Sequence, residues 1–208
     1  MKPISFKNLE ASLRLTSALH IGGDASLGGA VSLTARAGLE HQPYIPGSSV
    51  KGRMRALLSA PLRHVDDPDL AQAIDRLFGR RGARGALSFW DCSMDPRWVA
   101  ERKRADLPMT VLRNEQTVMR SAKAPATVRL QKREVVPEGA LFRFRVTLNL
   151  GVSDRMDIVL AGIKLLEWEG LGACTSRGMG RVQFDDLRIT EEVIGAETKE
   201  EAGALVGA

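Results

Sequence analysis

Two cysteines, three histidines, one tyrosine and an aromatic share of 5% are what this 208-residue chain has least of, and each scarcity removes a class of function. Cys92 and Cys174 are too few for a disulfide framework and too far apart, with no flanking histidine pair, for a zinc site. A reducing, cytoplasmic setting is the expectation. His41 and His64 have no acids or cysteines at ligand spacing, so no metal site and no cofactor are expected. With so few aromatics, the paired-aromatic strand signature of sheet-type single-strand binders is missing, and base stacking on a sheet cannot dominate recognition. No apolar run reaches the ~20 residues of a membrane-spanning helix, and the opening Met-Lys-Pro-Ile-Ser-Phe-Lys has no signal-peptide core. No membrane partner is expected. Phosphate-cradling and dinucleotide fingerprints are absent too, which removes nucleotide hydrolysis and dinucleotide binding.

What remains is a mixed composition, 44% hydrophobic and 26% charged, of a size that makes one globular domain. The formal charge of +5 understates the basicity of that domain. Residues 191–208 carry five acids and one lysine, so 29 basic and 20 acidic residues stand before them, a charge of +9. We therefore expect a basic domain over 1–190, suited to a polyanion, followed by an acidic tail over 191–208.

The hydrophobic pattern alternates between strand and helix periods. Ala11, Leu13, Leu15 and Leu19 read as a first strand ending at His20, and Gly22, Gly23, Gly28 and Gly29 as a loop. Val50, Met54, Leu57 and Leu58 predict a helix that Ser48 or Ser49 can cap. Leu70, Ile74, Leu77 and Phe78 mark a second helix stopped by Gly79, and residues 85–92 read as a strand. Phe142, Phe144, Val146 and Leu148 alternate with Arg143, Arg145 and Thr147, a half-buried strand. Ser153 can cap a last helix carrying Met156, Val159, Leu160, Ile163 and Leu166, ended by Gly170 and Gly172. A final strand is expected over 181–189. The fold class is α+β, with a split βαβ or ferredoxin-like core.

Three segments carry chemistry. Residues 43–55 join a Pro-Gly turn to a helix start whose first amides have no partner within the helix, followed by Lys51, Arg53 and Arg55, an arrangement that suits a phosphate. A solvated amphipathic helix would show the same pattern. Residues 171–182 place three glycines among Arg177, Arg181 and two hydroxyls, and glycine there permits left-handed backbone and close approach, as in an anion-binding concavity. Residues 108–134 form a long insertion. From 113 to 133 it has Arg113, Arg120, Lys123, Arg129, Lys132 and Arg133 against Glu115 alone, interleaved with Val118, Met119, Pro125 and Val128, so cations can follow phosphates while apolar tips press on bases.

Residues 45–55 (Ile-Pro-Gly-Ser-Ser-Val-Lys-Gly-Arg-Met-Arg), 136–142 (Val-Pro-Glu-Gly-Ala-Leu-Phe) and 175–182 (Thr-Ser-Arg-Gly-Met-Gly-Arg-Val) follow the order and the rough separations seen in the RAMP superfamily. From about residue 13 to 188 the chain resembles the backbone subunit of type III CRISPR effector complexes, the Csm-type Cas-seven family. The resemblance implies an RNA-recognition-motif-like core binding a guide RNA (crRNA) as one of several copies in a filament. Its further partners would be a complementary target nucleic acid and other CRISPR effector subunits. The basic insertion would be a protruding hairpin, the thumb, crossing the guide–target duplex. RNA contacts would come from His20, Ser48, Ser49, Lys51, Gly52, Arg53 and Arg55, from Arg113, Arg120, Lys123 and Arg129, and from Arg177, Gly178, Gly180 and Arg181.

The resemblance also bears on activity. Active members carry an aspartate, shortly after a Gly-Gly or Gly-Ile pair, that cuts target RNA with a divalent metal. Here Gly-Gly-Ala-Val-Ser-Leu over 28–33 puts Val31 where that acid is expected. Valine neither binds a hard cation nor polarises a ribose hydroxyl, so binding without cutting is implied. Asp24 is the only acid in the loop that could substitute, which would make the chain a metal-dependent endonuclease; its plain role is a loop turn. A non-repeated subunit, either a cap or a repeat-processing enzyme with His20 as general base, is the remaining alternative.

Overall fold

A computed structural model describes residues 4–22, 31–32, 34–37, 42–121 and 124–194, and of 31–32, 36–37, 115–121 and 124–131 it describes the backbone. The chain enters on a long strand, β1 (Ile4–Leu15), followed by the short β2 (Val31–Ser32), β3 (Arg36–Ala37) and β4 (Gln42–Ile45). Helices α1 (Gly47–Ser59) and α2 (Pro68–Phe78) come next, then β5 (Leu87–Phe89), β6 (Cys92–Ser93) and α3 (Pro96–Arg104). Two long strands, β7 (Val111–Ser121) and β8 (Ala124–Val135), precede β9 (Leu141–Asn149), α4 (Met156–Glu169) and β10 (Val182–Ile194).

The core is an antiparallel four-stranded sheet in the order β10-β1-β9-β5. Registers Leu9↔Val146, Ala11↔Phe144 and Leu13↔Phe142 put the apolar positions of β1 and β9 on one face, where Leu9, Leu13, Phe142, Phe144, Val146 and Leu148 are buried. One strand period thus explains a whole layer of the core. Helices α1 and α4 cover this layer with Val50, Met54 and Leu58 from one and Met156, Val159, Ile163 and Leu166 from the other. They cross closely because Gly162 has no side chain: a Cβ there would lie 2.6 Å from Met54 Cγ. The opposite face carries Glu10, Arg143 and Arg145, with the Arg145 guanidinium 4.8 Å from the Trp90 ring centroid. Outside the core sheet, β7 and β8 pair as an antiparallel hairpin from Val111↔Val135 to Ser121↔Ala124, and β2 adds parallel to β8.

Several boundaries differ from the sequence expectation. The first strand starts at Ile4 and ends at Leu15, because the chain turns through 16–18 and Leu19 pairs in isolation with Val136. The single strand expected over 85–92 is two short ones separated by Trp90 and Asp91. Neither Ser48, Ser49 nor Ser153 caps its helix: the N-cap residues are Pro46 and Arg155, with no side-chain cap bond. Helix α3 was not expected at all. Asp95 caps it, accepting from the amides of Arg97 and Trp98, with Pro96 at its first position. The last strand continues to Ile194, past the expected start of the acidic tail at 191.

Candidate nucleic-acid interface

The stretch just after β1 is where the segments singled out by sequence meet. Leu19 exchanges backbone hydrogen bonds with Val136 at the foot of the β7–β8 hairpin (2.9 and 2.8 Å), and the Ile21 carbonyl accepts from the Ala35 amide (2.8 Å). The His20 carbonyl accepts from the Ala173 amide (2.9 Å), and Gly180 donates to the Ala18 carbonyl (2.9 Å). Residues 16–21 therefore join the hairpin, the run into α1 and the glycine loop. Glu134 seals the junction from inside: buried, it accepts from the Thr34 amide (2.9 Å) and the Thr110 hydroxyl (2.7 Å). Those two bonds satisfy a carboxylate that would otherwise be costly to bury.

His20 belongs to this junction rather than to the surface. It is 2% exposed, with Nδ1 2.7 Å from the Glu134 carbonyl oxygen. A general base must reach the proton it removes, which a buried, bonded imidazole cannot do here without rearrangement.

On α1 the arrangement is more selective than the sequence implied. The first helical amide, Gly47 N, donates to Asp91 Oδ1 at 2.8 Å, so the helix end already has an anion from a residue distant in sequence. Gly47 must be small there, since a Cβ would lie 2.7 Å from the Phe89 carbonyl oxygen. Arg53 points along the protein, donating from Nε to the Gly170 carbonyl (3.1 Å) and from Nη2 to the Glu169 carbonyl (3.2 Å). Arg55 pairs with Asp75 of α2 at 3.1 Å. Lys51 makes no hydrogen bond or ion pair with the described residues. Beside it, Ser48 and Gly52 are exposed, and a Cβ on Gly52 would meet nothing within 4 Å. Lys51, Ser48 and Gly52 thus form the open part of this helix.

The glycine loop is held in left-handed conformations at Gly170, Gly172, Cys174, Gly178 and Gly180. Its amides are largely spent within the protein: those of Leu171, Ala173, Arg177, Gly178, Met179 and Gly180 all donate to backbone carbonyls. At Gly180 close approach is internal, since a Cβ would lie 1.9 Å from the Leu171 carbonyl oxygen, whereas at Gly178 it would meet nothing. Arg181 Nη1 donates to the Trp168 carbonyl, and its amide donates to Ser17 Oγ (2.9 Å). Arg177 is exposed, with Nη2 2.7 Å from Cys174 Sγ. What the loop offers outward is Ser176, Arg177 and the bare flank of Gly178.

In the hairpin, Arg113 is exposed near the foot, while Arg120 and Arg129 lie on the outer stretches of β7 and β8, where the backbone alone is described. Lys123 and Asp24 lie outside the described residues, and Val31 pairs by backbone with Lys132. Among the described residues no group of three or more His, Cys, Asp or Glu side chains could hold a metal ion, and no helix is long and apolar enough to cross a membrane. Asp91, Thr110 and Glu134 were not anticipated as parts of the site. Each acts across at least twenty residues of sequence, a distance at which periodicity and spacing carry no signal.

Comparisons with known proteins agree on one family. The sequence profile of the RAMP superfamily matches residues 12–183. The CRISPR system Cms endoribonuclease Csm3 of Enterococcus italicus is 34% identical over 182 residues, covering 80% of this chain and 83% of the relative. The proteins of the same name from Streptococcus thermophilus (31% over 203 residues, covering 86% and 87%) and Methanothermobacter thermautotrophicus (30% over 204 residues, covering 85% and 82%) are similar at comparable length. Among solved structures, the fold matches a chain in the cryo-EM structure of the Type III-B Cmr-beta bound to cognate target RNA. The TM-score is 0.67 at 19% identity, covering 89% of this chain and 61% of that one.

Proposed function

This chain belongs to the RAMP superfamily and to the Csm3 family within it, and on that premise we propose that it is a guide-RNA-binding backbone subunit of a type III CRISPR effector. The observation that carries this reading is the junction after β1, where the hairpin foot, the run into α1 and the glycine loop are tied together by backbone hydrogen bonds. Three segments far apart in sequence thereby share one side of a rigid core. On it the guide backbone passes Ser48, Lys51 and Gly52 on α1 and Ser176, Arg177 and Gly178 on the loop. The contacts are mostly to phosphates, so affinity is largely indifferent to guide sequence.

The alternation of β1, α1, β5, β9, α4 and β10, with sheet order β10-β1-β9-β5, supports a ferredoxin-like core. The hairpin supports the thumb assignment: strands of 11 and 12 residues reach roughly 35 Å at about 3.3 Å per residue. Successive copies, each with such an arm, arrange guide and target in a cytoplasmic filament together with other effector subunits. With Val31 at the position of the acid, this copy holds target RNA without cutting it.

Co-expression of the full chain with a guide RNA, followed by electron microscopy and a salt titration of binding, tests the proposal. A regular ribonucleoprotein filament is expected, with log affinity falling against log salt by about 0.7 per phosphate contact. Protein that purifies free of RNA, or a salt slope near zero, would refute it.

A further inference from the structure

The last carbonyls of an α-helix have no donors within the helix and mark its negative end. In α4 these carbonyls are taken by two arginines, one from each segment that the sequence assigned to phosphate binding. Arg181 of the glycine loop donates through Nη1 to the Trp168 carbonyl. Arg53 of α1 donates through Nη2 to the Glu169 carbonyl (3.2 Å) and through Nε to the Gly170 carbonyl (3.1 Å), with the Glu169 carboxylate 3.9 Å away. A guanidinium fork is suited to two adjacent acceptors, and these bonds are charge-assisted. Neither arginine can turn fully to a phosphate without abandoning the carbonyls it holds.

We infer that Arg53 and Arg181 are positioning residues: they clasp the C-terminal end of α4 between them and fix the separation of α1 from the glycine loop. Phosphate contact then falls to Lys51 and Arg177. This rests on the RNA-binding reading above, and it changes which cations meet the guide. The clasp joins residues more than a hundred positions apart, so it sets the distance between two surfaces that must engage one RNA backbone together. Loosening it leaves every phosphate ligand in place but misaligns the two halves of the site.

The experiment measures binding of the full-length protein to a labelled single-stranded RNA of mixed sequence across a salt series, with thermal melts to correct for folded fraction. Lys51→Ala should make the salt slope shallower by about 0.7, the value of one lost phosphate contact. Arg53→Ala should weaken binding by about tenfold, within the ordinary range of coupling between sites, and leave the slope unchanged. Arg53→Lys is the decisive variant. A lysine serves a phosphate as a point charge but cannot fork to two carbonyls, so it should bind as poorly as Arg53→Ala. Hydrogen exchange at the Leu171, Ala173 and Gly180 amides should quicken in both Arg53 variants and stay unchanged in Lys51→Ala.

A slope reduced by about 0.7 in Arg53→Ala, with affinity restored in Arg53→Lys, would make Arg53 a phosphate ligand and overturn the clasp. Unchanged affinity per folded molecule in Arg53→Ala would reduce the contact to a structural one and overturn it equally. Should Arg53→Ala fail to fold, Arg181→Lys supplies the same comparison from the other arm. A wild-type slope near zero, by contrast, sinks the RNA-binding reading itself, and slow exchange in the loop would still report the clasp.

Discussion

Gly52→Ala separates what α1 needs for folding from what it needs for binding. Gly52 sits within α1, exposed, and a Cβ added to it meets no heavy atom within 4 Å. In the free protein the substitution therefore brings only the gain of replacing glycine by alanine in a helix, about 0.5–1 kcal/mol. For a chain of this size that raises the midpoint of thermal unfolding by roughly 1–4 °C, with the denaturant m-value unchanged. The effect on RNA should have the opposite sign. If a phosphate backbone lies against the bare helix, the methyl group overpacks that contact at about 1–3 kcal/mol, which is roughly 5- to 150-fold in affinity. Ala56, exposed one turn further on, gives the mirror control: Ala56→Gly should lose about the same stability, ~0.5–1 kcal/mol, and leave RNA binding alone. Melting curves and fluorescence anisotropy on the same preparations decide the matter. A stabilised Gly52→Ala protein that binds RNA as the wild type does would refute the close approach at this helix.

Gly178 and Gly180 should behave differently although both are left-handed. Gly180→Ala drives a Cβ against the Leu171 carbonyl and should unfold cooperatively at much lower urea, whereas Gly178→Ala meets nothing and should cost only about 1–2 kcal/mol; equal midpoints for the two would contradict the loop geometry. The Cys92 thiol is pushed up to about 12, first by burial and second by the charge of Asp91. Because the folded state then holds a proton that the unfolded chain releases from about pH 9, stability should fall as pH rises from 9 toward 12, and a Cys92→Ala variant should lose that part of the decline. In native protein at neutral pH a thiol reagent should label Cys174, which is half-buried, well before Cys92. The assembled complex should leave complementary RNA intact in magnesium or manganese, with Asp24→Ala changing nothing and Val31→Asp introducing regularly spaced, metal-dependent cuts. Regular wild-type cleavage that disappears in Asp24→Ala would instead make Asp24 catalytic.

Elements that bury a full stripe could be read directly from the chain. The alternation of Phe142, Phe144, Val146 and Leu148 located β9, and the spacing of Met156, Val159, Ile163 and Leu166 located α4, because each pattern has one period and one buried face. Helix α3 escaped for the converse reason: only Trp98 and Val99 of its nine residues are buried, and its charged remainder shows no stripe, although Asp95-Pro96 is a sound start signal. The site was legible as segments but not as contacts. Residue type and spacing put Lys51, Arg53 and Arg55 on one helix, yet nothing local says that Arg53 meets the end of α4, that Arg55 meets Asp75, or that Asp91 occupies the helix start. Those partners are set by how helices cross, which depends on distant residues such as Gly162 and Met54.

The central place of β1 in the sheet has a consequence for biosynthesis. Its two neighbours, β9 and β10, are made last, so Leu9, Leu13 and Leu15 leave the ribosome long before either partner strand exists. At about 5–20 residues per second the interval between completing β1 and starting β9 is roughly 6–25 s. During it a strand that ends up paired along both edges has neither partner. The pairing that ends this interval has high contact order, so sheet closure is expected to be slow once the last strand appears. Yield of folded subunit should therefore depend on holdase chaperones and on growth temperature more than its equilibrium stability alone would indicate.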